Sequence, residues 1–219
     1  MELYDAMRST PAIRAFKPSP IPDDVLHRVL DHARFAPSGG NRQPWSVVAV
    51  RDQATRTRLR ELYVPSWENY VDVQGATPLL SMDEPPEGLS PMRFRMIKRA
   101  DRFARALDEA PLHLIVCADL DGLAVVDAGL ARPSIVAGAS IYPFVHNILL
   151  GLRNEGIGAS LTTLITPAEP QVKELLGLPE SVGIAALVAA GYPDEPWPTR
   201  LSRRPLEDFA YGDRWGQAL

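Results

Sequence analysis

The sequence predicts a single α+β domain over residues 1–219. Three short apolar runs, at residues 46–50, 112–119 and 182–190, have the length and composition of buried strands. Helical patterns lie before and between these runs. The 219 residues are enough for one domain with a good core, and the proline clusters mark irregular connections rather than linkers between domains.

Composition excludes several classes of protein. With 23 Lys and Arg against 27 Asp and Glu, the net charge of -4 indicates no basic surface for nucleic acid. No apolar run approaches the about 20 residues that cross a bilayer, and the first residues lack the apolar core of a signal peptide. We therefore expect a cytoplasmic protein with no nucleic-acid or membrane partner.

Cysteine and histidine are sparse. The single cysteine, Cys117, lies in an apolar run, which predicts a buried and inert thiol. The four histidines are far apart in sequence, and His27 and His32 do not share a face of their helical pattern. We expect no metal site.

Outside residues 63–110, five segments have helical patterns. They are residues 2–7, 22–36, 52–62, 134–154 and 167–176. The third is charged and predicts a surface helix, whereas the fourth is the longest and opens on small residues that allow another backbone to come close.

Residues 63–110 are the least regular part of the chain. Aromatic residues and prolines are scattered through it, and residues 91–107 form a helical pattern with six basic side chains. Two interpretations stay open. One is a solvated basic helix packed by Phe94, Ile97 and Leu107. The other is a mobile cover over a substrate.

Residues 36–45 connect a helical pattern to an apolar strand through two prolines, two glycines, an Asn, a Gln and a Trp. The glycines allow main-chain N–H groups to approach a ligand, and the prolines stiffen both ends. The candidate binding residues are Pro37, Ser38, Gly39, Asn41 and Gln43. The alternative is a plain connection in which the glycine pair caps the helix and Trp45 starts a strand.

Three segments together resemble the nitroreductase family, flavin enzymes that hold FMN. The segments at residues 12–16, 20–26 and 36–45 are similar to the family's R-R-S-x-R-x-F, P-V-P-x-x-x-L and A-P-S-x-x-N-x-Q-P-W. The resemblance implies a central, mostly antiparallel sheet flanked by helices, in an intertwined homodimer. It also implies that residues 63–110 cover the substrate and that an extension at 194–219 packs on the partner subunit.

In the resembled family the N-terminal segment meets the FMN phosphate and the pyrimidine edge of the flavin. The resemblance therefore implies cofactor binding by Thr10, Pro11, Ala12 and Arg14. The first three align with positions usually held by Arg, Arg and Ser. Because contacts between guanidinium and phosphate are strong and bidentate, this departure predicts weaker retention of FMN.

Two later segments also carry the resemblance. Residues 156–163 lack the third glycine of a dinucleotide fingerprint, which excludes a Rossmann site, but they resemble the family's G-L-G-x-x-W-x-T. That likeness implies cofactor binding by Gly158, Ala159 and Ser160. Near the end, the family's R-x-P-L-E is matched, and an Arg there commonly contacts the flavin phosphate. The candidates are Arg203 first and Arg204 second, and the alternative is a solvated basic tail.

No Ser-His-Asp or Cys-His arrangement, paired loop carboxylates or P-loop is evident, which suits a reaction whose chemistry a flavin supplies. The resemblance implies an FMN-dependent oxidoreductase without a catalytic side chain. NAD(P)H would reduce the flavin at N5, and a nitroaromatic or quinone would then take the electrons in a ping-pong cycle. Other classes stay open: a dehydrogenase, dehalogenase or ene-reductase on the same scaffold, or a protein that stores FMN or has lost it. A deazaflavin in place of FMN also stays open, as does the choice between NADH and NADPH.

Overall fold

The structure is a computed structural model that describes residues 1–197 and 201–219. Its strands are β1 (Trp45–Val50), β2 (Leu112–Asp119), β3 (Gly158–Thr162) and β4 (Val182–Gly191). Within the described residues they form one antiparallel sheet in the order β1-β2-β4-β3. The predicted α+β class with a central antiparallel sheet is confirmed, and so are the three apolar runs predicted as strands. We did not predict β3 as a strand.

Strand β2 lies at the centre of the core because both of its faces are covered. Leu112, Leu114 and Val116 join one hydrophobic cluster, whereas Ile115 and Cys117 join a second cluster on the opposite face, as the alternation of a strand requires. The thiol of Cys117 is buried, as predicted, and burial raises its pKa to about 11. It therefore has no accessible thiolate near neutral pH.

Helices cover both faces of the sheet. They are α1 (Leu3–Ser9), α2 (Asp23–Ala33), α3 (Gln53–Val73), α4 (Thr77–Leu80), α5 (Pro91–Arg105), α6 (Tyr142–Asn154) and α7 (Glu169–Leu176). Helices α2 and α6 pack on one face, and α3, α5 and α7 pack on the other. Across residues 1–197 and 201–219, no helix combines the length and the apolar character that crossing a bilayer requires.

Helix α6 is shorter than the pattern at residues 134–154 predicted, because it begins only at Tyr142. The hydroxyl of Ser134 and the backbone N–H of Ile135 both donate to the carboxylate of Asp127, at 2.7 and 3.0 Å. These hydrogen bonds, together with one from Arg132, lower the pKa of Asp127 to about 2. The carboxylate thus fixes Ser134 and Ile135 outside a helix, and bends and turns follow as far as residue 141.

Helix α3 extends well beyond the surface helix predicted at residues 52–62. It continues to Val73, and Leu59, Tyr63, Trp67 and Val71 recur every four residues as buried side chains. This spacing places them on one face of the helix, which packs into the second hydrophobic cluster. The prediction of a surface helix is therefore wrong for this face.

The segment after α1 runs alongside the edge strand β3. The backbone N–H of Ile13 donates to the carbonyl oxygen of Ala159 at 2.9 Å, and Ala12 bridges the same residue. Further on, the N–H of Lys17 donates to the carbonyl of Tyr192 at 2.8 Å. These contacts hold residues 12–17 against the sheet.

Candidate functional site

A cavity of about 670 Å³ lies between α3, α5 and β3. Helix α3 contributes Tyr63 and Trp67, which also pack on the core, and the exposed Tyr70. Helix α5 contributes a stripe at the spacing of successive helical turns, whose ends are Arg93 and Phe103. The volume is in the range of sites for small organic ligands.

Arg14 lines this cavity from the segment that runs along β3. Its side chain is partly buried, and burial first and the charge of Arg99 second lower the pKa of Arg14. Arg99 is itself paired with Glu195. Among the described residues, the guanidinium of Arg14 makes no hydrogen bond or ion pair. A partly desolvated cation with free donors favours a bound anion.

Strand β3 supplies the second part of the site. Ser160 is 2% exposed and lines the same cavity as Arg14. Gly158 packs against Ile13 so closely that a Cβ on the glycine would lie 2.8 Å from the Cβ of Ile13. Ala159 accepts the hydrogen bond that fixes the Arg14 segment. The structure thus brings Arg14 and Ser160 to one cavity, with Gly158 and Ala159 holding the two chain segments together.

The remaining candidates of the N-terminal segment lie outside this cavity. Thr10 is the C-cap residue of α1, and its hydroxyl donates to the carbonyl of Ala6 at 2.6 Å. Pro11 is half-buried, and Ala12 is exposed beside Ala159.

We predicted no individual binding residue within residues 63–110, although this region supplies much of the cavity wall. The hydroxyl of Tyr63 lies 3.0 Å from the Oγ1 atom of Thr162 and links α3 to β3. Burial raises the pKa of Tyr63, so its hydroxyl stays protonated near neutral pH. The recurrence of Tyr63, Trp67 and Val71 every fourth residue is the signal that would have identified this wall.

The loop after α2 has an unusual backbone. Gly40 has a φ of 60°, while Asn41 and Gln43, at 53° and 50°, are the non-glycine residues with positive φ in the described part of the chain. The glycine pair does not cap the helix, because α2 ends at Ala33 with Arg34 as its C-cap. That alternative is therefore wrong, although Trp45 does start β1. Backbone strain of this kind clusters at functional sites.

This loop faces a different space from Arg14. Pro37, Ser38 and Gly39 line a separate cleft of about 260 Å³. The N–H of Gly39 donates to Ser140 Oγ, and the N–H of Gln43 donates to Ser38 Oγ, each at 3.0 Å. Within one chain, the loop candidates and the Arg14 cavity are therefore two separate clusters.

The two C-terminal candidates lie on an exposed segment. Arg203 donates to the carbonyl of Ser202 at 2.8 Å, and the guanidinium of Arg204 lies 5.7 Å from the ring centre of Phe209. Neither lines the 670 Å³ cavity or the 260 Å³ cleft. Part of the predicted C-terminal extension, residues 198–200, lies outside the described residues.

Comparison with known proteins gives a consistent result. A model described as the Nitroreductase family matches residues 7–192. The chain is 29% identical to an NADH dehydrogenase of Thermus thermophilus, over 90% of this chain and 88% of the relative. It is 27% identical to iodotyrosine deiodinase 1 of Rattus norvegicus over 88% of its length, but it spans only 62% of that relative.

Solved structures show the same fold. A crystal structure of an iodotyrosine deiodinase bound to FMN and 3-iodo-L-tyrosine superposes with a TM-score of 0.69 at 23% identity. The match covers 93% of this chain and 96% of that one. At this identity the likeness establishes the architecture of the sheet and its helices.

Proposed function

The chain belongs to the nitroreductase family, and from this premise we propose that it is an oxidoreductase that holds FMN. In this proposal NAD(P)H is the electron donor, and an electron-poor aromatic compound such as a nitroaromatic or a quinone is the acceptor, in a ping-pong cycle. The similarity to an NADH dehydrogenase supports the donor, and the FMN in a structure of the same fold supports the cofactor.

The observation that carries the proposal is the guanidinium of Arg14. It is partly buried at the wall of a 670 Å³ cavity that the buried Ser160 also lines, and it is unpaired among the described residues. A cation and a buried hydroxyl in this arrangement fit a flavin, which offers a phosphate and a polar pyrimidine edge. Arg14 and Ser160 would hold the cofactor, with Gly158, Ala159 and Ala12 supplying backbone beside it.

When bound, FMN would supply hydride and electron transfer. The described part of the cavity wall contains no carboxylate, histidine or cysteine, so these side chains bind and orient rather than act as nucleophiles. The positive charge of Arg14 stabilises negative charge on a ligand in a partly desolvated site. The aromatic wall of Tyr63, Trp67 and Phe103 excludes water from an apolar substrate.

We also propose that the functional unit is a homodimer. Ser38 and Gly39 line one cleft and Arg14 lines another cavity, so a single chain does not gather the whole candidate set. A two-fold dimer would let the strained loop of one chain complete the cavity of the other. Large apolar side chains at both ends of the chain support an interface, since Tyr4 is 72% and Trp215 is 90% exposed. Arg203 and Arg204, on the same C-terminal segment, are proposed as phosphate contacts in that assembly.

Anaerobic mixing tests this function. Protein loaded with FMN is mixed with NADH or NADPH while the flavin absorbance is followed, and a nitroaromatic or quinone is then added. We expect bleaching by the nicotinamide and recovery of the absorbance with the acceptor. Flavin that stays oxidised with both nicotinamides would favour storage and contradict the enzyme proposal. Arg14→Gln is the site variant, and Lys17→Gln, at an exposed position nearby, is its matched control.

Reductive dehalogenation on the same scaffold is the second candidate. The 27% identity to an iodotyrosine deiodinase and the shared fold favour it. Turnover of an iodinated phenol by the reduced protein, without reduction of nitroaromatics or quinones, would replace the first candidate with this one.

A further inference from the structure

The cavity wall has a clear division between apolar and charged parts. Trp67 and Phe103 are buried on facing helices, at 7% and 5% exposure, and form an aromatic interior. Arg93 lies at the other end of the α5 stripe, in the first turn of the helix, and its side chain is exposed. The cavity is thus aromatic inside and cationic where α5 begins.

Arginine supplies all of the formal charge on the described part of the wall. Among residues 1–197 and 201–219, Arg14 and Arg93 line the cavity, and no Asp, Glu, Lys or His does. Two acidic residues in contact with cavity-forming elements already have partners. Asp101 accepts from Trp67 Nε1 at 2.8 Å and pairs with Arg105, and Glu195 pairs with Arg99.

Arg93 has no structural role that would explain its place. Its guanidinium makes no hydrogen bond or ion pair with the residues that the structure describes, whereas Lys98 on the same helix donates to two backbone carbonyls, of Leu80 and Met82. Arg93 therefore has its donors free for a ligand in the cavity.

We propose that the substrate is an aromatic carboxylate, with its carboxylate on Arg93 and its ring against the apolar wall one turn along α5, where Met96 and Ile97 lie. The assignment rests on the proposed function, in which Arg14 is occupied by the cofactor and Arg93 is left for the substrate. A planar carboxylate matches the fork of a guanidinium, so the contact is bidentate and directional. Two cations and no anion among the described residues of the wall disfavour a cationic aromatic.

Binding without turnover tests this inference. Isothermal titration calorimetry of the oxidised, FMN-loaded protein, with no nicotinamide present, compares 4-nitrobenzoate, 4-nitrobenzamide and 4-nitrobenzylamine, which differ mainly in charge. We expect the carboxylate to bind at least about tenfold more tightly than the amide, and the amine to bind most weakly. Equal affinity for the carboxylate and the amide would overturn the proposal.

Variants of α5 test whether Arg93 causes the preference for the carboxylate. Arg93→Gln should remove the preference for the carboxylate, and Arg93→Lys should keep part of it. Arg95→Gln should keep it in full, because Arg95 is exposed on the same helix but does not line the cavity. A preference that survives in Arg93→Gln, or that is lost equally in Arg95→Gln, would overturn the proposal.

The two proposals fail in different ways. Protein that holds and reduces FMN but binds the three compounds equally contradicts the substrate class alone. Protein that loses FMN on desalting, yet still prefers the carboxylate through Arg93, contradicts the proposed function and leaves the substrate class standing. The absorption spectrum of each calorimetry sample separates these results.

Discussion

The backbone N–H of Ile13 donates to the carbonyl oxygen of Ala159 at 2.9 Å, and this hydrogen bond fixes where Arg14 enters the cavity. The two segments approach closely because position 158, beside Ala159, is a glycine. A Cβ there would lie 2.8 Å from both the Cβ and the Cγ2 of Ile13. The absence of a side chain at Gly158 therefore positions a charged group one residue beyond Ile13.

A methyl group at position 158 tests this packing. We expect Gly158→Ala to lower the free energy of unfolding by about 1–3 kcal/mol, because the added carbon overpacks a rigid contact. Urea denaturation measures the change. Gly129→Ala is the control, since a Cβ at Gly129 has no neighbour within 4 Å. Equal stability of the two variants would show that the Ile13 segment is free to move away.

Removing the charge of Arg14 should weaken cofactor binding. Arg14→Gln keeps a polar side chain but loses the cation, so we expect its dissociation constant for FMN to rise at least about tenfold. Fluorescence titration of the apoprotein with FMN gives the constant. Lys17→Gln removes an exposed charge three residues away and should leave the constant unchanged. An unchanged affinity in Arg14→Gln would mean that the phosphate is held elsewhere.

In the strained loop, substitution of two neighbouring glycines should change stability by different amounts. Gly40 has a φ of 60°, so Gly40→Ala forces a side chain into the left-handed region and should cost about 1 kcal/mol of stability. Gly39 has an ordinary φ, and a Cβ there would lie at normal contact distance, 3.6 Å from Ser140 Oγ. We therefore expect Gly39→Ala to unfold at nearly the wild-type denaturant concentration. The opposite ranking would contradict the loop conformation.

Asp127 should make stability depend on pH in acid. Hydrogen bonds from Ser134, Ile135 and Arg132 lower its pKa to about 2, whereas an aspartate in an unfolded chain titrates near about 3.9. The ionised carboxylate of Asp127 thus stabilises the folded chain fully above about pH 4, and this contribution is lost as the pH falls toward about 2. Comparison of Asp127→Asn with wild type across this range should show a difference in unfolding free energy that shrinks in acid. Asp83→Asn, at an exposed position, should show no such trend.

Local patterns in the sequence account for much of the fold. Continuous apolar runs identified β1, β2 and β4, and the surroundings of Cys117 identified a buried thiol, because burial of a strand leaves a signal in every residue. The start of α6 at Tyr142 was missed, although Pro143 in its first turn is typical of a helix start. We had joined residues 134–141 to the helical pattern, and the carboxylate of Asp127, which accepts hydrogen bonds from Ser134 and Ile135, lies outside that pattern. These hydrogen bonds join residues seven and eight positions apart, a spacing that a helical pattern does not reveal.

Some residues of the candidate site were likewise predictable from the sequence, and others were not. Arg14 and Ser160 were identified from segments that resemble a family motif, and the structure places them at one cavity. The role of Arg93 was not predictable from a pattern that contains six basic residues in residues 91–107. Which of these cations is free depends on partners far away in sequence, as Glu195 is for Arg99. Pairing of charges is a property of the folded chain.

Retention of flavin is the most direct test of the central claim, that this chain holds FMN through Arg14 and β3. The measurement is a visible absorption spectrum of the purified protein, taken before and after incubation with FMN and desalting. We expect flavin bands that survive desalting in the wild type and are reduced in Arg14→Gln. A spectrum without flavin bands after incubation and desalting, from protein shown to be folded by circular dichroism, would contradict the claim.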